Sequence, residues 1–206
     1  MVANQLRARG VRDERVLDAM ARVPRHEFVA ERLREQAYED HPLPIGEGQT
    51  VSQPYIVALM LESLELEPTH TVLEVGTGSG YQTALLAELC RHVYSIERHE
   101  SLAHQAERTL ARLGYTNLSV RVGDGSLGAP DVAPFDAIIV SAAAPQIPPA
   151  LFAQLREDGR MIIPVGPAAS QELELARKQD GQPVITPLEG CRFVPLVGGQ
   201  GYSSEW

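Results

Sequence analysis

A chain of 206 residues, 44% of them hydrophobic, suffices for one globular domain with a substantial core. Its 18 basic residues against 27 acidic give a net charge of −9, which disfavours nucleic acid as a partner. Cys90 and Cys191 are too few for a disulfide framework, the histidines show no ligand spacing, and no metal is expected. No apolar run approaches the roughly 20 residues of a membrane helix, and the start MVANQLRARG lacks the apolar centre of a signal peptide. The expectation is a soluble, cytoplasmic monomer with no membrane partner.

The segment DERVLDAMARVP predicts the first helix, with Asp13 as N-cap, Val16, Leu17, Met20 and Val23 on one stripe, and Pro24 as a stop. The first forty or so residues read as small helices. The stretch IGEGQTVSQP, from residue 45, reads as a loop, after which Pro54 opens a helix with Ile56, Val57, Met60, Leu61 and Leu64 on its apolar face. From residue 71 short apolar strands alternate with helices: TVLEVG, then YQTALLAEL, HVYSIE, SLAHQAERTLARLG, LSVRVG, DAIIVS, PPALFAQLRED and RMIIPVG. That alternation predicts an α/β fold with a doubly wound, mostly parallel sheet. In the tail, Asp180-Gly181 between two strand-like runs predicts a hairpin that adds antiparallel strands at one edge. The expected division is a single domain over 1–206: 1–54 a helical extension with a substrate loop, 55–166 a cofactor-binding core, and 167–206 antiparallel edge strands and tail.

The strongest local motif is VLEVGTGSGYQTALLA, a glycine-rich turn between the first core strand and its helix. Glycine there lets a ligand approach backbone that a side chain would block. Gly76, Gly78 and Gly80 give GxGxG, whereas a dinucleotide fingerprint needs glycine where Tyr81 stands, so a nicotinamide cofactor is disfavoured. Glu74 could meet a cationic ligand or organise its own loop. Glu97 closes the next strand, where a carboxylate can accept from both hydroxyls of a ribose. Together these residues resemble the S-adenosylmethionine site of Rossmann-like methyltransferases. Asp124 in VGDGSLG either lines that site or makes an ordinary turn. Ser79 and Ser126 lie outside any G-x-S-x-G, so a serine hydrolase is not supported.

A more specific resemblance emerges from the order of PLPIGEGQTVSQP, VLEVGTGSGYQTALLA, VYSIER, GDGSLG, APFDAIIVSAAAP, MIIPVG and RFVPL. Over nearly the whole chain it is similar to the protein-L-isoaspartate O-methyltransferases, with GQTVSQP the most distinctive segment. The resemblance implies methyl transfer from S-adenosylmethionine, leaving S-adenosylhomocysteine, to the free carboxylate of an L-isoaspartyl residue in a damaged protein or peptide. The ester then closes to a succinimide without the enzyme. The implied cofactor contacts are Glu74, Gly76, Thr77, Gly78, Ser79, Gly80, Glu97, Asp124, Gly125 and Ser141, the last standing where a threonine is more usual. The implied active-site residue is Ser52, with Thr50 and Gln53 as further substrate contacts. From the residues alone, the favoured reading is that Ser52 caps the following helix and Thr50 stabilises a turn; the resemblance reverses it. The turn before Pro54 also offers backbone amides and a helix N-terminus, both suited to an anion. A methyltransferase of another small molecule or of RNA, and an inactive cofactor-binding module, are the alternatives. The tail GGQGYSSEW is not matched to the family pattern in detail, although family members place C-terminal backbone near the substrate.

Overall fold

A computed structural model describes residues 1–204. After short helical turns over Val2–Leu6 and Arg7–Arg9, helix α1 runs Glu14–Arg22. The Asp13 carboxylate accepts from the Arg15 amide, as the N-cap pattern predicts, and Val16, Leu17, Ala19 and Met20 face the core. Val23 is already extended, because the residue before a proline is pushed out of the helical region. Two 3-10 turns, Arg25–Phe28 and Glu31–Gln36, complete the helical start.

The segment expected to be a plain loop is a hairpin of β1 (Leu43–Gly46) and β2 (Gln49–Val51). Its turn places Glu47 and Gly48 at φ 51° and 68°, the left-handed pair that a tight hairpin requires. Helix α2 (Pro54–Ser63) follows, then β3 (Thr71–Val75), α3 (Tyr81–Leu89), β4 (His92–Glu97), α4 (Glu100–Arg112), β5 (Leu118–Val122) and β6 (Phe135–Val140). The chain continues through α5 (Pro149–Ala153), β7 (Leu155–Val165), β8 (Gln171–Gln179) and β9 (Gln182–Cys191).

The main sheet has the order β5-β4-β3-β6-β7-β8-β9, parallel as far as β7 and antiparallel beyond it. Every residue of β3 is buried, as a strand covered on both faces demands. The expected hairpin forms at Asp180 and Gly181, both at positive φ, and pairs β8 with β9. Strand order reverses at β3, which lies between β4 and β6. A crevice opens beyond the carboxyl ends of strands at such a switch point. It therefore falls over Gly76 and Ser141, the residues that directly follow β3 and β6.

The helix expected over 148–158 is shorter than predicted. It stops at Ala153, and Leu155 instead pairs with Phe135 at the start of β7. The Gln154 side chain ties the corner down, accepting from the Ala129 amide and donating to the Leu127 carbonyl. Gly159 fixes the extended path: a Cβ there would come within 2.8 Å of the Arg156 carbonyl oxygen and 3.0 Å of that of Asp136. Strand pairing and this close backbone approach override the amphipathic pattern of LFAQLRED.

Candidate active site

Beneath the glycine loop lies a buried polar network. Glu74 is fully enclosed and accepts from Thr83 Oγ1 at 2.5 Å, Ser95 Oγ at 2.6 Å and Gln82 Nε2 at 3.1 Å. Ser95 Oγ in turn lies 2.6 Å from Thr77 Oγ1, so the carboxylate sets the loop's first side chain from below. Of the two roles open to Glu74, it makes the loop-organising contacts. Burial pushes its carboxyl up to about 7, against the pull of its three donors.

That elevation has a thermodynamic consequence. Between the ordinary value of 4.5 and about 7, the folded chain holds this proton more tightly than the unfolded chain, so stability falls as pH rises through that window. The loss saturates above it at about 3 kcal/mol for a difference of about 2.5 pH. Glu74→Gln is expected to remove that slope. Urea unfolding of parent and variant at several pH values between 4.5 and 7.5 checks it; parallel profiles would exclude the elevated carboxyl.

At the surface of the loop, Gly78 has φ 53°, and a Cβ there would press on Ile45 Cδ1 at 3.1 Å. Its amide donates to Glu97 Oε2 at 2.9 Å, while Oε1 accepts from the His99 amide at 3.0 Å. Ser79 accepts weakly from the Tyr81 amide at 3.4 Å, and Gly80 caps α3 in the left-handed conformation. Gln82 bridges Glu74 to Ser141 Oγ, at 2.8 Å from the latter.

Two small hollows of about 60 and 50 Å³ flank this loop, and Gly76, Glu97 and Ser141 line both. The second is walled by Val75, Ile96, Leu196 and Val197, an apolar slot that suits a flat ring. His99 also lines it, and its buried Nε2 meets no partner among the described residues. An acceptor pair on Glu97, an orphaned ring nitrogen and glycine backbone in one crevice fit an adenosyl group. No cluster of three or more His, Cys, Asp or Glu among the described residues could hold a metal.

Asp124 does not face this slot freely. Its Oδ1 accepts from the Ser126 amide and hydroxyl, and its Oδ2 from the Gly199 amide at 2.7 Å. Ser126 Oγ also receives the Gln200 amide. Asp124 thus pins the tail segment for which the sequence offered no role, and a Cβ on Gly198 would fall 2.0 Å from Asp124 Oδ1. Gly125 lines the slot and packs so closely on Val75 that a Cβ would lie 2.4 Å from its Cγ1.

A larger cavity of about 560 Å³ adjoins the crevice, lined by Thr50, Ser52, Gln53 and Ser141 together with Glu189 and Phe193 of the far wall. Ser52 lines both this cavity and the first hollow, so it stands at their junction. It does not cap α2: the N-cap is Gln53, which makes no side-chain cap bond. The cap comes instead from Asp40, whose carboxylate accepts from the Tyr55 amide at 3.1 Å and from Gln53 Nε2 at 2.9 Å. The amide expected to serve an incoming anion is therefore already held by the chain's own carboxylate, and the Gln53 side chain is engaged with it. On the other side of the turn, Arg25 Nη2 donates to the Ser52 carbonyl at 2.9 Å. Thr50 is exposed on the cavity rim.

Sequence reasoning missed Asp40, Arg25 and Gln82. Asp40 lies 15 residues before the amide it holds, beyond the reach of any capping pattern. Gln171 was also missed: its buried amide donates to the Phe193 carbonyl and accepts from the Phe193 amide, fixing the far wall of the cavity.

Comparison with known proteins places this geometry in context. The sequence profile of the Protein-L-isoaspartate(D-aspartate) O-methyltransferase (PCMT) family matches residues 1–201. The Protein-L-isoaspartate O-methyltransferase of Koribacter versatilis is 60% identical over 98% of this chain and 91% of its own. A second from Syntrophobacter fumaroxidans is 57% identical over 98% and 94% respectively. Among solved structures, a protein-L-isoaspartate O-methyltransferase superposes with a TM-score of 0.87 at 32% identity, covering 95% of this chain, which spans 65% of that one. A Plasmodium falciparum protein described as a protein-L-isoaspartate O-methyltransferase, in complex with S-adenosyl-L-homocysteine, gives 0.82 at 28% identity over 93% of this chain and 94% of its own.

Proposed function

The chain belongs to the protein-L-isoaspartate(D-aspartate) O-methyltransferase family and methylates isoaspartyl carboxylates of proteins and peptides with S-adenosylmethionine, and we propose that it receives the acceptor at Ser52. The observation that carries this reading is that Ser52, which with Thr50 and Ser141 walls both the large cavity and the cofactor-side hollow, carries a hydroxyl that α2 does not use as its cap. When bound, S-adenosylmethionine supplies a methyl carbon made electrophilic by its sulfonium sulfur.

The protein's part is to hold and orient. Glu97 would accept from the ribose hydroxyls, Gly76 and Gly78 would admit close approach to backbone, and Ser141 with Gln82 forms the wall next to the acceptor cavity. The Ser52 hydroxyl, not used in capping α2, would donate to the acceptor carboxylate and hold its free oxygen toward the cofactor side of the cavity. Thr50 and Gln53 complete the rim. A carboxylate with an ordinary pKa of about 3.9 is already ionised at neutral pH, so no side chain has to remove a proton. Rate enhancement then comes from alignment and from exclusion of water.

On this reading the chain works as one methyltransferase unit, with 1–54 carrying the substrate loop, 55–166 the cofactor core and 167–206 the edge strands and tail. Residues 205 and 206 of that last span lie outside the described residues. We place it in the cytoplasm as a monomer, apart from nucleic acid and membranes. The charge of −9 supports separation from nucleic acid, and no helix among the described residues is long and apolar enough to cross a membrane. The deciding assay is transfer of labelled methyl from S-adenosylmethionine to an isoaspartyl peptide and to its aspartyl twin. Labelling of the first alone is expected; equal labelling of both, or of neither, would overturn the reading.

A further inference from the structure

Arg25 is the largest fully buried side chain with a charge, at 0% exposure. Its Nε donates to the Ala37 carbonyl at 2.7 Å and its Nη2 to that of Ser52 at 2.9 Å, while the guanidinium stacks 4.7 Å from the Tyr81 ring centroid. Among the described residues Nη1 has no hydrogen-bond partner, and no carboxylate pairs with the group. An uncompensated buried cation is costly to the fold, and chains retain few of them without a use. Burial lowers its pKa, with Tyr81 and the more distant Asp40 acting in the opposite sense.

The surroundings indicate the use. Of the three residues that the guanidinium meets, Ser52 and Tyr81 line the hollow that meets the acceptor cavity. The cation therefore sits directly behind the turn that faces the acceptor. The opposite side of the same turn is held by Asp40 through the Tyr55 amide and Gln53 Nε2. Arg9 bonds to Asp40 at 2.9 Å and so balances the carboxylate that holds the turn's start. What remains uncompensated is the positive charge behind Ser52.

We propose that Arg25 is a positioning residue for the methyl acceptor: it pins the Ser52 turn by its carbonyl, and its charge makes that turn select an ionised carboxylate over a neutral group. The inference rests on the reading of Ser52 as the acceptor contact. It is distinct from the hydroxyl's own role, because the arginine acts on the backbone and through its field in a low-dielectric setting.

The test uses the full-length enzyme with an isoaspartyl peptide as substrate and, as inhibitor, the matching isoasparaginyl peptide, in which a neutral amide replaces the carboxylate. Arg25→Met, which keeps bulk and removes charge, is expected to raise KM for the isoaspartyl peptide at least about tenfold. The inhibition constant of the neutral analogue and the Kd for S-adenosylhomocysteine should stay within about twofold of parent. Arg25→Lys keeps the charge but cannot grip two carbonyls. It is expected to retain the preference for the carboxylate within about threefold while kcat falls at least about fivefold. Parental kinetics in either variant, or equal losses for charged and neutral peptides, would overturn the proposal. Should Arg25→Met fail to fold, the kcat and the preference of Arg25→Lys decide alone. Ser52→Ala measured alongside separates the two readings. A silent Ser52→Ala with an impaired Arg25→Met removes the hydroxyl contact and keeps the arginine, and the reverse removes the arginine.

Discussion

Glu97→Gln is expected to weaken binding of S-adenosylhomocysteine by about 1–3 kcal/mol, roughly 5- to 150-fold. An ionised carboxylate offers about four acceptor positions. Two are used within the chain, by the amides of Gly78 and His99, one on each oxygen. Two therefore remain, one on each oxygen, which matches the pair of ribose hydroxyls of an adenosyl group. Glutamine has a single carbonyl oxygen, and its NH2 would face one of those two backbone donors with nothing to accept. The substitution thus removes a ribose acceptor and strains the glycine loop together. Titration calorimetry on the folded variant reads the loss, and a Kd equal to that of the parent would take Glu97 out of the cofactor site.

The legible part of the fold was the part whose cause is local. Parallel strands covered on both faces must be apolar throughout, so TVLEV and DAIIV stand out as runs, and β3 is buried along its whole length. Asp180-Gly181 announced its hairpin because two consecutive positive φ angles favour those residue types. The short α5 was not legible. Leu151, Phe152 and Leu155 keep a helical spacing, and only pairing of Leu155 with Phe135 and the backbone approach at Gly159 turn the chain into strand. The β1–β2 hairpin escaped for a related reason, since its turn uses Glu47 at positive φ, a position that sequence patterns assign to glycine or asparagine.

The same division runs through the site. Glycines in register with a strand and a helix, followed by Glu97 one strand later, were readable because the crossover fixes their geometry. The supports of the acceptor turn were not. Asp40, Arg25 and Gln171 act on backbone groups 12 to 27 residues away in sequence. Nothing in their neighbours' hydropathy marks those contacts. Asp124 illustrates a third case: the turn-forming triplet was visible, but its partner is the Gly199 amide, 75 residues on, so its role as anchor of the tail follows only from the fold.

Ser52→Ala is expected to lower kcat/KM for an isoaspartyl peptide at least about tenfold, equivalent to about 1.4 kcal/mol of transition-state stabilisation. Removal of an N-cap hydroxyl ordinarily costs about 0.5–2 kcal/mol of stability. Here the cap of α2 is provided by Asp40, and the Arg25 contact engages the Ser52 carbonyl, which alanine retains. The loss of stability should therefore stay within about 0.5 kcal/mol, the range of a side chain without structural bonds. Cofactor affinity should also hold: Ser52 borders the hollow beside the glycine loop, but the apolar slot that suits the ring and the Glu97 acceptors are built without its hydroxyl. A kinetic loss with neither a thermal nor a cofactor-binding counterpart is the signature of a hydroxyl that meets the acceptor alone. Parental kcat/KM, measured where both proteins are folded, would instead leave orientation of the carboxylate to the turn's backbone and to the charge behind it.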